Sequence, residues 1–280
     1  MVDTDVHDLD KCFEVVVKHV KAAGDVIRRR SELRQEYELK ADDIDLVTQT
    51  DKQVEQMLMI GLAHAFPDHK FIAEEESSAG GSPKKLTNDP TWIIDPVDGT
   101  MNFVHSFPHS CISIGLVINK VTEIGVVYNP ILEQFFTARR GQGALYNGRR
   151  IKVSGQRDLT KSLVTSEFGT TRDVEKMLVV NQNFAKLAAK VHGLRCLGSA
   201  ALNMCMVALG AADANYEFGI HAWDVCAGDI IVREAGGVVI DPAGRKFDMM
   251  SRRVLAAATP ELATEITKLI TQYYPEPRDD

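Results

Sequence analysis

Apolar side chains recur every three or four positions at Leu9, Phe13, Val16, Val20, Ala23 and Ile27, directly after Asp8. That is the repeat of one helix face, so a long amphipathic helix opens the chain. Thr50-Asp-Lys-Gln53 reads as a capping box and starts a second helix through Val54, Leu58, Leu62 and Phe66, which Pro67 stops. The spacing then shortens. Apolar runs at Phe71–Ala73, Trp92–Asp95, Cys111–Ile118, Ile124–Tyr128, Gln134–Ala138 and Arg150–Val153 predict strands, with Asn119-Lys120 and Asn147-Gly148 as turns. The succession reads as an antiparallel meander.

Beyond about residue 155 strands and helices alternate. Ser162–Ser166, Arg195–Leu197, Ala214–Phe218, Gly237–Ile240 and Val254–Ala258 read as strands. Asp173–Val191, Ala200–Leu209, Trp223–Ala235 and Pro260–Tyr273 read as helices between or after them. The fold class is therefore α+β, with an antiparallel sheet in the first half and a mixed sheet in the second. The halves divide as 1–150 and 151–280, packed as one unit with no flexible linker between them. Gly141–Gly143 lies between hairpin strands and lacks the spacing of a dinucleotide loop. The tail Pro275–Asp280 reads as frayed.

Candidate chemistry sits where these elements break. Asp95-Pro-Val-Asp-Gly-Thr100 follows the run Trp92-Ile-Ile and puts two carboxylates three residues apart at a glycine turn. Pro96 cannot continue a strand ladder, and Gly99 permits φ > 0 and a close backbone approach. Carboxylates facing one point repel, and a hard divalent cation such as Mg2+ relieves that conflict. The plainer reading is a solvated loop. Other acids have plainer readings too: Glu74-Glu75-Glu76 as a solvated turn, Asp224 as a charge at a helix start, Glu217 as an exposed strand end, Asp51 as a cap. Together they are less ordinary, because all fall at junctions where sites are built. Gly99-Thr100 and Gly198-Ser199-Ala200-Ala201 add two helix starts whose N–H groups suit an anion. Acids for metal beside anion-binding turns suggest metal-assisted phosphoryl chemistry.

Composition narrows the field. A net charge of −7 over 280 residues argues against a nucleic-acid footprint. No apolar run approaches the ~18 residues of a membrane span, and residues 1–20 lack the apolar core of a signal peptide. The expectation is a cytoplasmic protein. Cys12, Cys111, Cys196, Cys205 and Cys226 are odd in number without a CxxC pair, so reduced core thiols are expected. His105 and His109 flank Pro108 and read as surface histidines rather than a metal pair. The chain has neither a Gly-x-Ser-x-Gly elbow nor a P-loop.

The same residues carry a resemblance. Trp92-Ile-Ile-Asp-Pro-Val-Asp-Gly-Thr100-Met-Asn-Phe is similar to the first signature of the inositol monophosphatase family, and Trp223-Asp-Val-Cys-Ala-Gly228 with Glu234-Ala-Gly-Gly237 to its second. Leu46–Asp51, Gly198–Asn203 and Tyr216–His221 match in order, so the resemblance, to the animal type in particular, spans nearly the whole chain. It implies an αβαβα five-layer sandwich, a homodimer, and lithium-sensitive, Mg2+-dependent hydrolysis of inositol monophosphates. By position, Glu74, Asp95 and the Val97 carbonyl would hold a first Mg2+, and Asp95, Asp98 and Asp224 a second. Thr100, backed by Asp51, would orient the attacking water together with Glu74. Gly99 and Thr100 N–H groups would meet the phosphate, while Glu74, Asp98, Ser199, Ala200, Glu217 and Asp224 would line the substrate. The family usually reads Gly-Glu-Glu where this chain has Ala73-Glu-Glu-Glu76, which leaves the first ligand at Glu74 or Glu75. Two other readings stand beside this one. The first is a relative acting on another sugar or nucleotide phosphate, such as galactose 1-phosphate; the second is a catalytically silent dimeric binding protein.

Overall fold

The computed structural model describes residues 8–31, 37–39, 46–78 and 85–279. Helix α1 (Leu9–Ser31) leads to the short strands β1 (Tyr37–Leu39) and β2 (Leu46–Thr48), which pair antiparallel, and then to α2 (Gln49–Ala65). Strand β3 (Lys70–Ala73), α3 (Glu74–Ser78), β4 (Thr91–Asp98) and α4 (Thr100–Val104) follow. The meander is β5 (Cys111–Ile118), β6 (Val121–Asn129), β7 (Gln134–Arg139), β8 (Gly143–Tyr146) and β9 (Arg149–Arg150). The second half runs β10 (Leu163–Thr165), α5 (Val174–Ala188), β11 (Gly193–Arg195), α6 (Ala200–Leu209), β12 (Ala214–Phe218) and α7 (Ala222–Glu234). It closes with β13 (Val238–Ile240), β14 (Arg253–Ala257) and α8 (Pro260–Leu269).

Seven strands form one sheet in the order β3-β4-β5-β6-β7-β8-β9, and five form another in the order β11-β10-β12-β14-β13. The apolar face of α1, with Val16, Val20, Ala23 and Ile27, packs with Val54, Leu58 and Leu62 of α2 onto one face of the larger sheet. Helices α6 and α7 lie between the sheets, their all-round apolar sequence matching burial on both sides. Helices α5 and α8 cover the outer face of the smaller sheet. The layers are therefore helix, sheet, helix, sheet, helix.

Several expectations change in detail. The first sheet is mixed, because β3 and β4 pair parallel after the crossover through α3. The capping box of α2 is Thr48 with Asp51, two residues earlier than Thr50 with Gln53. The strand expected at Arg150–Val153 is only β9, and that at Arg195–Leu197 falls at Gly193–Arg195. The helices expected to reach Val191 and Tyr273 stop at Ala188 and Leu269. Residues 271–279 are pinned rather than frayed: Asn183 bonds Thr271, and Arg253 bonds Tyr273. Arg278 pairs with Asp248, and the Asp279 side chain is only 9% exposed; Asp280 lies outside the described residues. Four cysteines are buried and Cys196 is exposed, all five as thiols. His105 is exposed, but His109 is half-buried, and burial pushes its pKa down to about 4.

Candidate active site

Strand β4 and its turn build the first wall of the site. In a regular strand, residues three apart point to opposite faces. Here Asp95 pairs with Ser113 while Asp98 pairs with Cys111, so β4 carries one extra residue between them. That β-bulge falls between Asp95 and Asp98, a stretch that includes Pro96, which has no N–H to lose. One inserted residue reverses the alternation and brings both carboxylates to the same side. Asp95 Oδ1 accepts the Val97 N–H at 3.0 Å, which tightens the turn. Gly99 follows with φ of 86°, and a Cβ there would lie 2.9 Å from the Gly198 carbonyl oxygen. The two glycine turns noted in the sequence thus touch each other, and Asn102 Nδ2 fastens them by donating to the Leu197 and His109 carbonyls.

Asp51 and Glu74 approach from the helices beside β4. Thr48 donates to Asp51 Oδ2 through its backbone N–H and its hydroxyl, fixing that carboxylate at the start of α2. Its other oxygen lies 3.1 Å from Thr100 Oγ1, which also lies 3.0 Å from the Val97 carbonyl. Helix α3 begins at Glu74, and the buried Glu55 holds that turn by accepting from the Glu75 and Glu76 N–H groups. Burial, opposed by those two bonds, pushes the Glu55 pKa up to about 7. Glu74 lines the pocket with Asp95 and Val97, whereas Glu75 lies outside it.

The second wall comes from the smaller sheet and the inner helices. Asp98 Oδ2 accepts from Ser199 Oγ and from the Ala201 N–H at 2.9 Å, and Oδ1 faces the Ala200 N–H at 3.3 Å. The N-terminus of α6 is therefore filled by a carboxylate of the chain itself. Glu217, whose plainer reading was an exposed strand end, is 3% exposed. Asn203 Nδ2 bridges it to Glu167, at 3.3 and 2.8 Å. Glu167, two residues beyond the end of β10, was not singled out by sequence; its carboxylate also accepts from the Leu197 and Gly198 N–H groups. Asp224, in the first turn of α7, accepts the His221 N–H at 2.6 Å.

Oxygen atoms of Asp95, Asp98 and Asp224 all lie within 4.8 Å of one another. Asp95 and Asp98 are buried, and Asp224 is partly open to a cavity of about 320 Å³. Burial, then the charges of Glu74, Asp98 and Asp224, holds the Asp95 carboxyl well above the usual carboxylate range. Burial and then Asp224 push Asp98 up to about 7, against the bonds from Ser199 and Ala201. Burial pushes Asp224 up to about 6. The Glu74 and Asp224 carboxylates thus crowd Asp95 from either side of the pocket. Carboxylates packed this closely repel one another, so the cluster demands positive charge at its centre. A divalent cation with oxygen ligands fits that demand. Glu217 is likewise held well above its ordinary value by burial and by Glu167.

Fold and pocket together define a class: a layered α+β protein with a buried carboxylate centre, suited to a cation and an anionic ligand, between its two sheets. Residues 8–274 match the model of the inositol monophosphatase family, and the chain belongs to that family. It is 48% identical to inositol monophosphatase 1 of Homo sapiens over 271 residues, 96% of this chain and 97% of that protein. It is 47% identical to inositol monophosphatase 2 of Rattus norvegicus over 262 residues, 93% of this chain and 90% of that one. Among solved structures, the inositol monophosphatase of Anabaena superposes with a TM-score of 0.79 at 32% identity, covering 94% and 96% of the two chains. The extragenic suppressor protein suhB of Bartonella henselae gives 0.83 at 29% identity, covering 93% and 98%.

Proposed function

We propose that this chain is a metal-dependent phosphomonoesterase that hydrolyses inositol monophosphates to myo-inositol and phosphate, using Mg2+. The convergence of Asp95, Asp98 and Asp224 on one point carries the reading. We assign Glu74, Asp95 and the Val97 carbonyl to one magnesium ion and Asp95, Asp98 and Asp224 to a second, with Asp95 shared. Divalent cations held by these residues would lower the pKa of the attacking water and neutralise charge on the phosphoryl and leaving oxygens.

The chain's own groups do the rest. Thr100 Oγ1 accepts a hydrogen bond from the attacking water and donates to Asp51, whose second oxygen is immobilised by Thr48. That relay aims the water, with Glu74 on its other side. The Gly99 and Thr100 N–H groups bind phosphate oxygens at the turn into α4. Glu217, Asp98, Ser199 and Ala200 face the inositol ring and select its hydroxyls. A carboxylate accepts from hydroxyls and repels a second phosphate, so the Glu217–Glu167 pair favours a polyol monophosphate over a bisphosphate. The family likeness supports lithium sensitivity, a homodimer and a cytoplasmic location as further parts of this reading.

A substrate panel tests it. Phosphate release is measured from inositol, galactose, fructose and nucleotide phosphates while Mg2+ is titrated, with Asp95→Asn as the control. Inositol monophosphates are expected to be turned over fastest. Preference for a bisphosphate, or silence of the wild-type protein on every substrate, would overturn the proposal.

A further inference from the structure

The loop between β12 and α7 carries Glu217 at one end and Asp224 at the other, and Gly219, Ile220 and His221 between them line the cavity. The segment after α8 fastens that loop from behind. Asp279 Oδ2 accepts the Ala222 N–H at 2.8 Å, and Oδ1 lies 2.7 Å from His221 Nδ1. Arg252 adds a second fastening. Its guanidinium lies 3.3 Å from the Ile220 carbonyl, 3.0 Å from the Pro277 carbonyl and 3.3 Å from His221 Nε2. A guanidinium only donates, so His221 Nε2 accepts and Nδ1 carries the proton given to Asp279. The imidazole is thereby held between the two, stacked on Trp223 with ring centroids 4.5 Å apart. Two further bonds hold the segment in place: the Asp279 N–H donates to the Met250 carbonyl, and Arg278 pairs with Asp248 at 2.9 Å.

We propose that Asp279 is a positioning residue for Asp224, so that residues 275–279 form part of the support of the metal centre. The reasoning is a competition for acceptors. The first N–H groups of a helix have no partner within it. At α7, Asp224 takes the His221 N–H and Asp279 takes the Ala222 N–H. Remove the Asp279 carboxylate, and the Ala222 N–H is left without its partner next to Asp224, which already accepts the neighbouring His221 N–H. Turning toward the helix draws Asp224 away from Asp95 and Asp98. The imidazole loses its orienting partner at the same time, and the loop wall loosens. This inference rests on the assignment of Asp224 as a metal ligand.

The test uses Mn2+ as the probe, with free ion counted by electron paramagnetic resonance in wild type, Asp279→Ala and Asp279→Asn. Thermal midpoints and the kcat–KM split for myo-inositol 1-phosphate are measured alongside. Outer-shell partners of metal ligands are worth about 10–100-fold in affinity. Asp279→Ala is therefore expected to weaken Mn2+ binding about tenfold, with kcat recovering at saturating metal. Asp279→Asn keeps one acceptor oxygen and the side-chain shape, and it is expected to fall between the two. If the alanine variant does not fold, the asparagine variant decides. Unchanged Mn2+ affinity in a folded variant would overturn the proposal. A wild type that binds Mn2+ yet releases no phosphate would instead sink the proposed activity while leaving this test intact.

Discussion

On the wall of the pocket built from β4, Asp95, Asp98 and Thr100 lie within six consecutive residues, and a bulge, a proline and a left-handed glycine aim them. On the facing wall, Glu217 and the helix start that carries Asp224 are held by partners elsewhere in the chain. Asn203 lies 14 residues from Glu217, and Asp279 lies 57 residues from the Ala222 whose N–H it caps. Local backbone geometry brings the first wall's carboxylates to one side, although Asp98 is also held from the start of α6, whereas the second wall leans more on tertiary contacts. Damage to the first should therefore strike the chemistry directly, while damage to the second should first strike affinity for metal and substrate.

The largest effect is expected on the first wall. Asp95→Asn should lower phosphate release on the order of 10³-fold, since one lost ligand removes several kcal/mol of charge stabilisation. Its thermal midpoint without metal should hold or rise, because one buried charge leaves a repulsive cluster. A collapse of that midpoint would make Asp95 a structural residue. Thr100→Ala should come next, lowering kcat on the order of 10²-fold with KM little changed. An equal loss in KM would mean that Thr100 binds substrate rather than aiming water.

On the second wall, Glu217→Gln should raise KM for myo-inositol 1-phosphate about tenfold, the worth of one charged hydrogen bond. Turnover of p-nitrophenyl phosphate, which has no ring hydroxyls, should be unaffected; a parallel loss there would remove Glu217 from hydroxyl recognition.

The smallest effect concerns His109, whose carbonyl holds Asn102 between the two glycine turns. Burial keeps its folded pKa at about 4, against an ordinary value of 6.5. Between those values the unfolded chain binds the proton and the folded one does not. The stability present above pH 6.5 is thus lost as pH falls toward 4, by at most about 1.4 kcal/mol per pH unit, and by less for a half-buried ring. His109→Gln should flatten that part of the stability profile measured by urea unfolding.

The two walls also differ in how far the sequence discloses them. The Asp95–Thr100 turn was legible because a strand, a proline and a glycine are each marked by their own residue types. What the bulge does to Asp95 and Asp98 was not, since the register of β4 against β5 depends on both strands. The cap of α2 falls two residues earlier than expected: Thr48 with Asp51 and Thr50 with Gln53 both have residues that can form a box, and the structure uses the first. Glu55, Glu167 and Asp279 carry no local signature, because each acts on backbone N–H groups brought to it by the fold. The layered architecture was legible from the periodicities. The parallel pairing of β3 with β4 was not, because α3 in their connection has five residues, too few to leave a helical repeat that marks a crossover.

The central claim is that the Asp95–Asp98–Asp224 cluster needs a divalent cation and uses it for catalysis. Calorimetric titration of Mg2+ into the metal-stripped protein, run under the conditions of the phosphate-release assay, tests it most directly. Saturable binding is expected, with a midpoint that coincides with the activation of phosphate release and is lost in Asp95→Asn. Full activity in the presence of EDTA, or an unchanged isotherm in Asp95→Asn, would contradict it.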